Sequence, residues 1–191
     1  MNRLTSLALA VGSFVALATG SAGAQQAAPE PLPRSGEFSL IFTFVNPEPW
    51  SAVPRAVDAA GAVTETATVA TNIAWLMNAE GSGFAHQMTG QCSSFTRLVG
   101  TTNVENYGNC VYTDAQGDKL FEEFNRLPGE TVTNGRWIGG TGKYAGISAS
   151  FTIQGIPGFA GRVEGGPLGA ANEVFGVSAG TKTGSYTLPP L

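Results

Sequence analysis

The chain has 191 residues, 10 Lys+Arg against 14 Asp+Glu, and one histidine, with 13% charged and 42% hydrophobic residues. That length suits one domain plus a tail, and the apolar fraction is enough for a core. Twenty-six glycines and 11 prolines argue against a helical bundle, no Gly-X-Y period supports collagen, and a formal charge of −4 without a basic cluster argues against a nucleic-acid partner, because phosphate binding needs concentrated Lys and Arg.

Met1-Asn2-Arg3 is a short basic start, Leu4 to Ala18 is almost wholly small or apolar, and Ala22-Gly23-Ala24 carries the A-x-A pattern. Together they predict a secretory signal peptide over residues 1–24, cleaved after Ala24. The apolar run of about 15 residues falls short of the ~20 that span a bilayer, so no stable membrane insertion is expected. The expected location is the periplasm or the cell exterior. In an oxidising compartment Cys92 and Cys110, the only cysteines, are expected to form a disulfide. His86, the sole histidine, does not complete a two-cysteine metal site, and neither a metal nor a cofactor is expected.

Residues 25–36, with three prolines in Gln25–Ser35, read as a disordered leader. A single β-domain is expected over 37–191. Strand candidates follow in order: Glu37–Val45, Ala67–Met77, Phe84–Leu98, Asn109–Thr113, Lys119–Arg126, Arg136–Gly139, Ile147–Ile153 and Glu173–Val177, with Gly184–Leu188 closing. Eight or nine short strands between Gly, Pro and Asn turns predict an all-β sandwich or barrel. Asp58–Ala62 reads as one turn of helix, and Gly155–Gly169 as a long glycine-rich loop.

The turn Asp114–Asp118 sets a register. Pairing Thr113 with Lys119 puts Tyr112 opposite Leu120 and Cys110 opposite Glu122. If Cys92 bridges to Cys110, the period of two adds Phe84, His86 and Met88 to that face. A turn at Asn78–Gly83 brings Ile73, Trp75 and Met77 to the same side. The face then collects Trp75, Met77, Phe84, His86, Met88, Tyr112, Leu120, Glu122 and Phe124. Its reverse (Gln87, Thr89, Gln91, Ser93, Arg97, Lys119, Glu123, Asn125) is mostly polar, so the first set is expected to point inward.

One His, one Glu and one Tyr among apolar groups is the composition of a small-ligand cavity. Glu122, His86 and Tyr112 are the candidate catalytic or orienting groups; Trp75, Met77, Phe84, Met88, Leu120 and Phe124 are the candidate ligand contacts. The blander alternatives are that His86 is a hydrogen-bonded core residue and that Glu122 pairs with His86 or Arg126, or sits at a mouth. Asp114 and Asp118 lack the further ligands of a calcium loop and read as turn residues.

The stretch Gly135–Ile147 contains Gly142-Lys143 but is not a phosphate loop: Trp137 stands where its first glycine belongs, and Tyr144 replaces Ser/Thr. It reads as a tight connection in which Gly140 and Gly142 permit positive φ and Tyr144 packs on the barrel end.

The run Trp137-Ile138-Gly139-Gly140-Thr141-Gly142-Lys143-Tyr144-Ala145-Gly146-Ile147 resembles the GGTGKF…G signature of the allene oxide cyclase and dirigent β-barrel superfamily. Cys110–Phe121 looks like the preceding hairpin of its bacterial secreted branch. The resemblance spans roughly Phe84–Ile153. It implies an eight-stranded antiparallel barrel with an apolar cavity, self-association as a homodimer or homotrimer, and either cyclisation of a reactive lipid or steering of a coupling reaction. The matched motif is structural and carries over no catalytic residue. Three readings stay open: a carrier of a small apolar ligand, a cyclase or isomerase acting on a hydrophobic substrate, and a structural barrel with a filled interior.

Overall fold

A computed structural model describes residues 31–45, 51–100, 102–164 and 174–190. The expected signal peptide and the first part of the leader lie outside them. The strands are β1 (Ser35–Val45), β2 (Ser51–Val57), β3 (Val63–Asn78), β4 (Met88–Val99), β5 (Thr102–Thr113), β6 (Lys119–Arg126), β7 (Thr133–Gly140), β8 (Ser148–Glu164) and β9 (Val174–Thr187). The one helical element among the described residues is the single 3-10 turn Gly142–Tyr144.

All pairings are antiparallel, in the order β1-β9-β8-β7-β6-β5-β4-β3, and β1 pairs with β3 to close the ring. This is the expected eight-stranded barrel. β2 is an addition: it runs along the first half of β3 (Val53↔Ala67), on the edge whose second half is taken by β1 (Ile41↔Met77).

Strand boundaries differ from the sequence reading in informative places. β1 starts two residues early, and Leu32 packs on the core while the Leu188 amide donates to Arg34 O. The end of the proposed leader is therefore ordered. Asp58–Ala62 is a hairpin turn, closed by Gly61 N to Asp58 O and by the Asp58 carboxylate on the amides of Ala60 and Ala62. A carboxylate that caps its own turn in this way competes with helix. Gly155–Glu164 belongs to β8, past a register shift between Gly155 and Ala160; residues 165–169 of the expected loop lie outside the described residues. The last two strand candidates are one strand, β9.

Side chains alternate along the strands, so every second residue enters the barrel. At one end these inner residues are almost fully buried: Phe38, Leu40, Leu76, Phe84, Met88, Tyr144, Ile147, Tyr186 and Leu188. Phe84 stacks on Tyr186 with ring centroids 4.1 Å apart and meets Tyr144 edge-on at 6.0 Å. Gly140 makes this seal possible, because a Cβ there would lie 2.6 Å from the Tyr144 Cβ. Positive φ falls at Gly142 and Gly146 rather than at Gly140. At the other end the inner residues Phe44, Asn72, Ser94, Thr96, Asn106, Phe124, Arg126, Thr133 and Ile153 are only half-buried. Among the described residues the barrel thus has a closed end and a mouth.

Candidate functional site

The β5–β6 register is the expected one: Thr113↔Lys119, Tyr112↔Leu120 and Cys110↔Glu122. Cys92 faces Cys110 across β4 and β5 and the two form the disulfide. Tyr112, Leu120, Glu122, Met88 and Phe84 are all buried, and Phe124 is half-buried beside them.

Trp75 and Met77 are on the opposite surface. They are 42% and 50% exposed on the outer wall, along with Ile73. The inner residues of β3 are Ala74, Leu76 and Asn78, because Leu76 pairs with Met88 and Ala74 with Gly90. A slip of one residue moves a whole strand face from inside to outside. The slip arises in the 79–87 connection, which carries left-handed backbone at Ala85 (φ 51) and Gln87 (φ 56).

The same connection removes His86 from β4. Its half-buried ring accepts a hydrogen bond at Nδ1 from the Asn78 amide, 3.3 Å away. His86 is a turn residue and is not joined to Glu122. Asp114 likewise serves its turn: its carboxylate accepts from the amides of Gln116 (2.9 Å) and Asp118 (3.0 Å) and pairs with Lys143 at 2.6 Å. Burial pushes the Asp114 carboxyl up, but Lys143 and the two amides outweigh it and hold the group below its usual range.

The partner of Glu122 is Lys182 of β9, which the sequence reading leaves between two strands. Lys182 is 0% exposed and Glu122 1%. Its ammonium donates to both Glu122 oxygens, with Oε1 at 2.6 Å, and to the Tyr112 hydroxyl oxygen at 2.9 Å. That hydroxyl lies 3.6 Å from Cys92 Sγ; a disulfide sulfur has no proton, so Tyr112 is the donor. The side chain of Lys182 therefore crosses the lumen from β9 to β5 and β6.

Aromatic faces enclose this cation. Ring centroids lie 4.8 Å from Nζ for Tyr112, 5.5 Å for Phe42, 5.6 Å for Trp137, 5.7 Å for Phe151 and 6.0 Å for Phe44. Each is within reach of the attraction between a cation and a ring quadrupole. Burial pushes the Glu122 carboxyl up, and the adjacent Lys182 charge pulls it back only in part. Burial also pushes the Lys182 amine down against the pull of Glu122. Both shifts favour the neutral members of the pair. Burial raises the Tyr112 phenol well above its ordinary value, and Glu122 adds to this.

One polar atom in this layer is unsatisfied. Trp137 Nε1 is buried and has no hydrogen-bond partner among the described residues. Trp137 stands opposite Glu122, next to a bulge at Ile138 that lets both Trp137 and Gly140 face inward. Arg126 Nε is a second such atom, on the mouth side.

Five aromatic rings thus surround the Lys182 ammonium in this layer. Two concavities open on the outer wall. One, of about 700 Å³, runs over β5–β8 past Tyr107, Asn109, Asn125 and Arg136. The other, of about 470 Å³, lies over β1, β8 and β9. Among the described residues no cluster of His, Cys, Asp and Glu suits a metal ion, and no helix is long and apolar enough to cross a membrane.

No protein-family model and no curated protein matches the chain. Among solved structures, a pterocarpan synthase dirigent protein is similar in fold, with 13% sequence identity over 83% of this chain and 90% of that one and a TM-score of 0.43.

Proposed function

We propose that the protein is an exported barrel that binds a small, largely apolar molecule in its mouth half, with a polar group of that molecule directed at the Lys182–Glu122–Tyr112 layer. The observation that carries this reading is the unpartnered Trp137 N–H beside a fully buried ion pair. A lone buried donor costs about 1–3 kcal/mol, and a buried pair seldom repays its own desolvation. A ligand acceptor supplies what Trp137 lacks. Phe44, Phe124 and Ile153, half-buried above the pair, give the ligand an apolar wall.

Export is supported by the basic start, the apolar run and the A-x-A site, and it agrees with the disulfide. Self-association belongs to the same reading. Ile41 and Met77 pair across β1 and β3, and Trp75 and Ile73 extend the exposed apolar face beside them. A strictly monomeric mass by light scattering at tens of micromolar would remove that part.

The deciding experiment is mass spectrometry of organic extracts from protein purified out of its own cell envelope. A stoichiometric apolar compound is expected, displaced or lost in Phe44→Ala. A protein that arrives empty and also fails to bind a panel of apolar probes would be a structural barrel.

A further inference from the structure

Resting on the ligand-binding reading above, we infer that Lys182 forms an imine with an apolar aldehyde, using Glu122 as the proton carrier and Trp137 Nε1–H as the donor to the carbonyl oxygen. The parts stand within one layer of the barrel. Lys182 is one of only three lysines in the chain, with Lys119 and Lys143. It alone is buried: Lys119 reaches the Thr113 hydroxyl at 3.0 Å and Lys143 pairs with Asp114 near the surface. A lysine amine in a dry apolar pocket is a nucleophile because desolvation favours its uncharged form.

Geometry supplies the remaining groups. Glu122 is in direct contact with Nζ, so the proton that leaves the ammonium has a receiver and need not cross the barrel. The orphaned Trp137 N–H is the one donor in the layer with nothing to bond. Rings of Phe42, Phe151, Trp137 and Tyr112 within 4.8–5.7 Å of Nζ suit an iminium as well as they suit an ammonium. Phe44, half-buried on the mouth side and 6.0 Å from Nζ, is the side chain an entering aldehyde displaces.

The step balances without an oxidant or reductant. Lys182 passes one proton to Glu122. The freed amine pair attacks the carbonyl carbon, the C–N bond forms, and the C=O π pair moves to oxygen. A proton passes from nitrogen to that oxygen, giving a neutral carbinolamine. Glu122 then protonates the hydroxyl, the C–O bond breaks, and one water leaves. The product is an iminium on Lys182 facing an ionised Glu122, so the layer keeps the charge pair it began with.

The test uses the folded full chain, cinnamaldehyde as the probe and sodium cyanoborohydride as the trap, followed by intact mass and peptide mapping. A single reduced adduct on Lys182 is expected, at least about tenfold over Lys119 and Lys143, with the preference lost in urea. Lys182→Arg, which keeps a cation beside Glu122, is expected to take no adduct at that position. Cinnamyl alcohol, titrated by calorimetry, separates the two readings, since it has the same apolar body and no carbonyl. Binding of the alcohol with aldehyde trapped only on Lys119 and Lys143, or nowhere, overturns the imine and leaves ligand binding intact. Failure of both probes to bind overturns the imine together with the reading beneath it.

Discussion

The closed end and the mouth of the barrel are built from the same eight strands and the same period of two, yet they differ in what the inner positions hold. At the closed end large aromatics interlock, and Gly140 gives up its side chain so that Tyr144 can approach. At the mouth, polar and half-buried residues such as Asn72, Thr96, Asn106 and Arg126 take the equivalent places. Lys182 and Glu122 lie between the two. Tight packing is concentrated at the closed end, and the polar inner side chains at the mouth.

The largest effect should come from splitting the layer between the ends. Lys182→Met leaves Glu122 buried without its cation and is expected to cost about 3–5 kcal/mol in urea unfolding, whereas Lys182→Met combined with Glu122→Leu should return to within about 1 kcal/mol of the parent or exceed it. A double variant as unstable as the single one would mean that the pair is a net stabiliser, and the functional argument for it would weaken.

Next come the ends themselves. Phe84→Ala at the closed end should cost about 3–5 kcal/mol. Phe44→Ala at the mouth should cost about 1 kcal/mol or less, because its half-burial leaves little area to lose. Equal losses would erase the distinction.

The disulfide falls between these two. Cys92 and Cys110 are 18 residues apart in sequence, and reduction, or Cys92→Ala with Cys110→Ala, is expected to cost about 3 kcal/mol on the loop-entropy account. Thiol counting under denaturing, non-reducing conditions should find none free.

An effect as small as that of Phe44→Ala is expected from a pH dependence at the closed end. The Asp114 carboxyl is held below its usual range in the folded protein, so its contribution is present above the ordinary carboxylate pKa and lost as pH falls through the lower, folded value. Asp114→Asn should flatten that acid limb and cost about 1 kcal/mol at neutral pH.

Much of this was legible in the residues. The turn Asp114–Asp118 fixes β5 against β6 by its own length, so the inward placing of Tyr112 and Glu122 follows from local chemistry. Trp75 and Met77 could not be placed the same way. Their face depends on two left-handed residues, Ala85 and Gln87, that are not glycine and give no signal. Lys182 was hidden for a different reason. The inner positions on either side of it are Gly180 and Gly184, where a Cβ would strike Phe42 and Phe151 respectively. The strand therefore shows no apolar alternation, although Lys182 stands in phase with Tyr186 and Leu188. A lysine in step with buried aromatics was the available clue.

The position of β1 has a consequence for how the barrel is made. It is held on one side by β3, its near neighbour in sequence, and on the other by β9, some 140 residues along the chain at Ser39↔Thr183. Closure thus waits for the final strand, and until then β1 and β8 each present a bare edge of unpaired amides and carbonyls. Such long-range closure is slow. Seating β9 covers these sides of β1 and β8, and this strand is also the one that carries Lys182 into the lumen. Closing the ring and completing the buried charge pair therefore depend on the same strand.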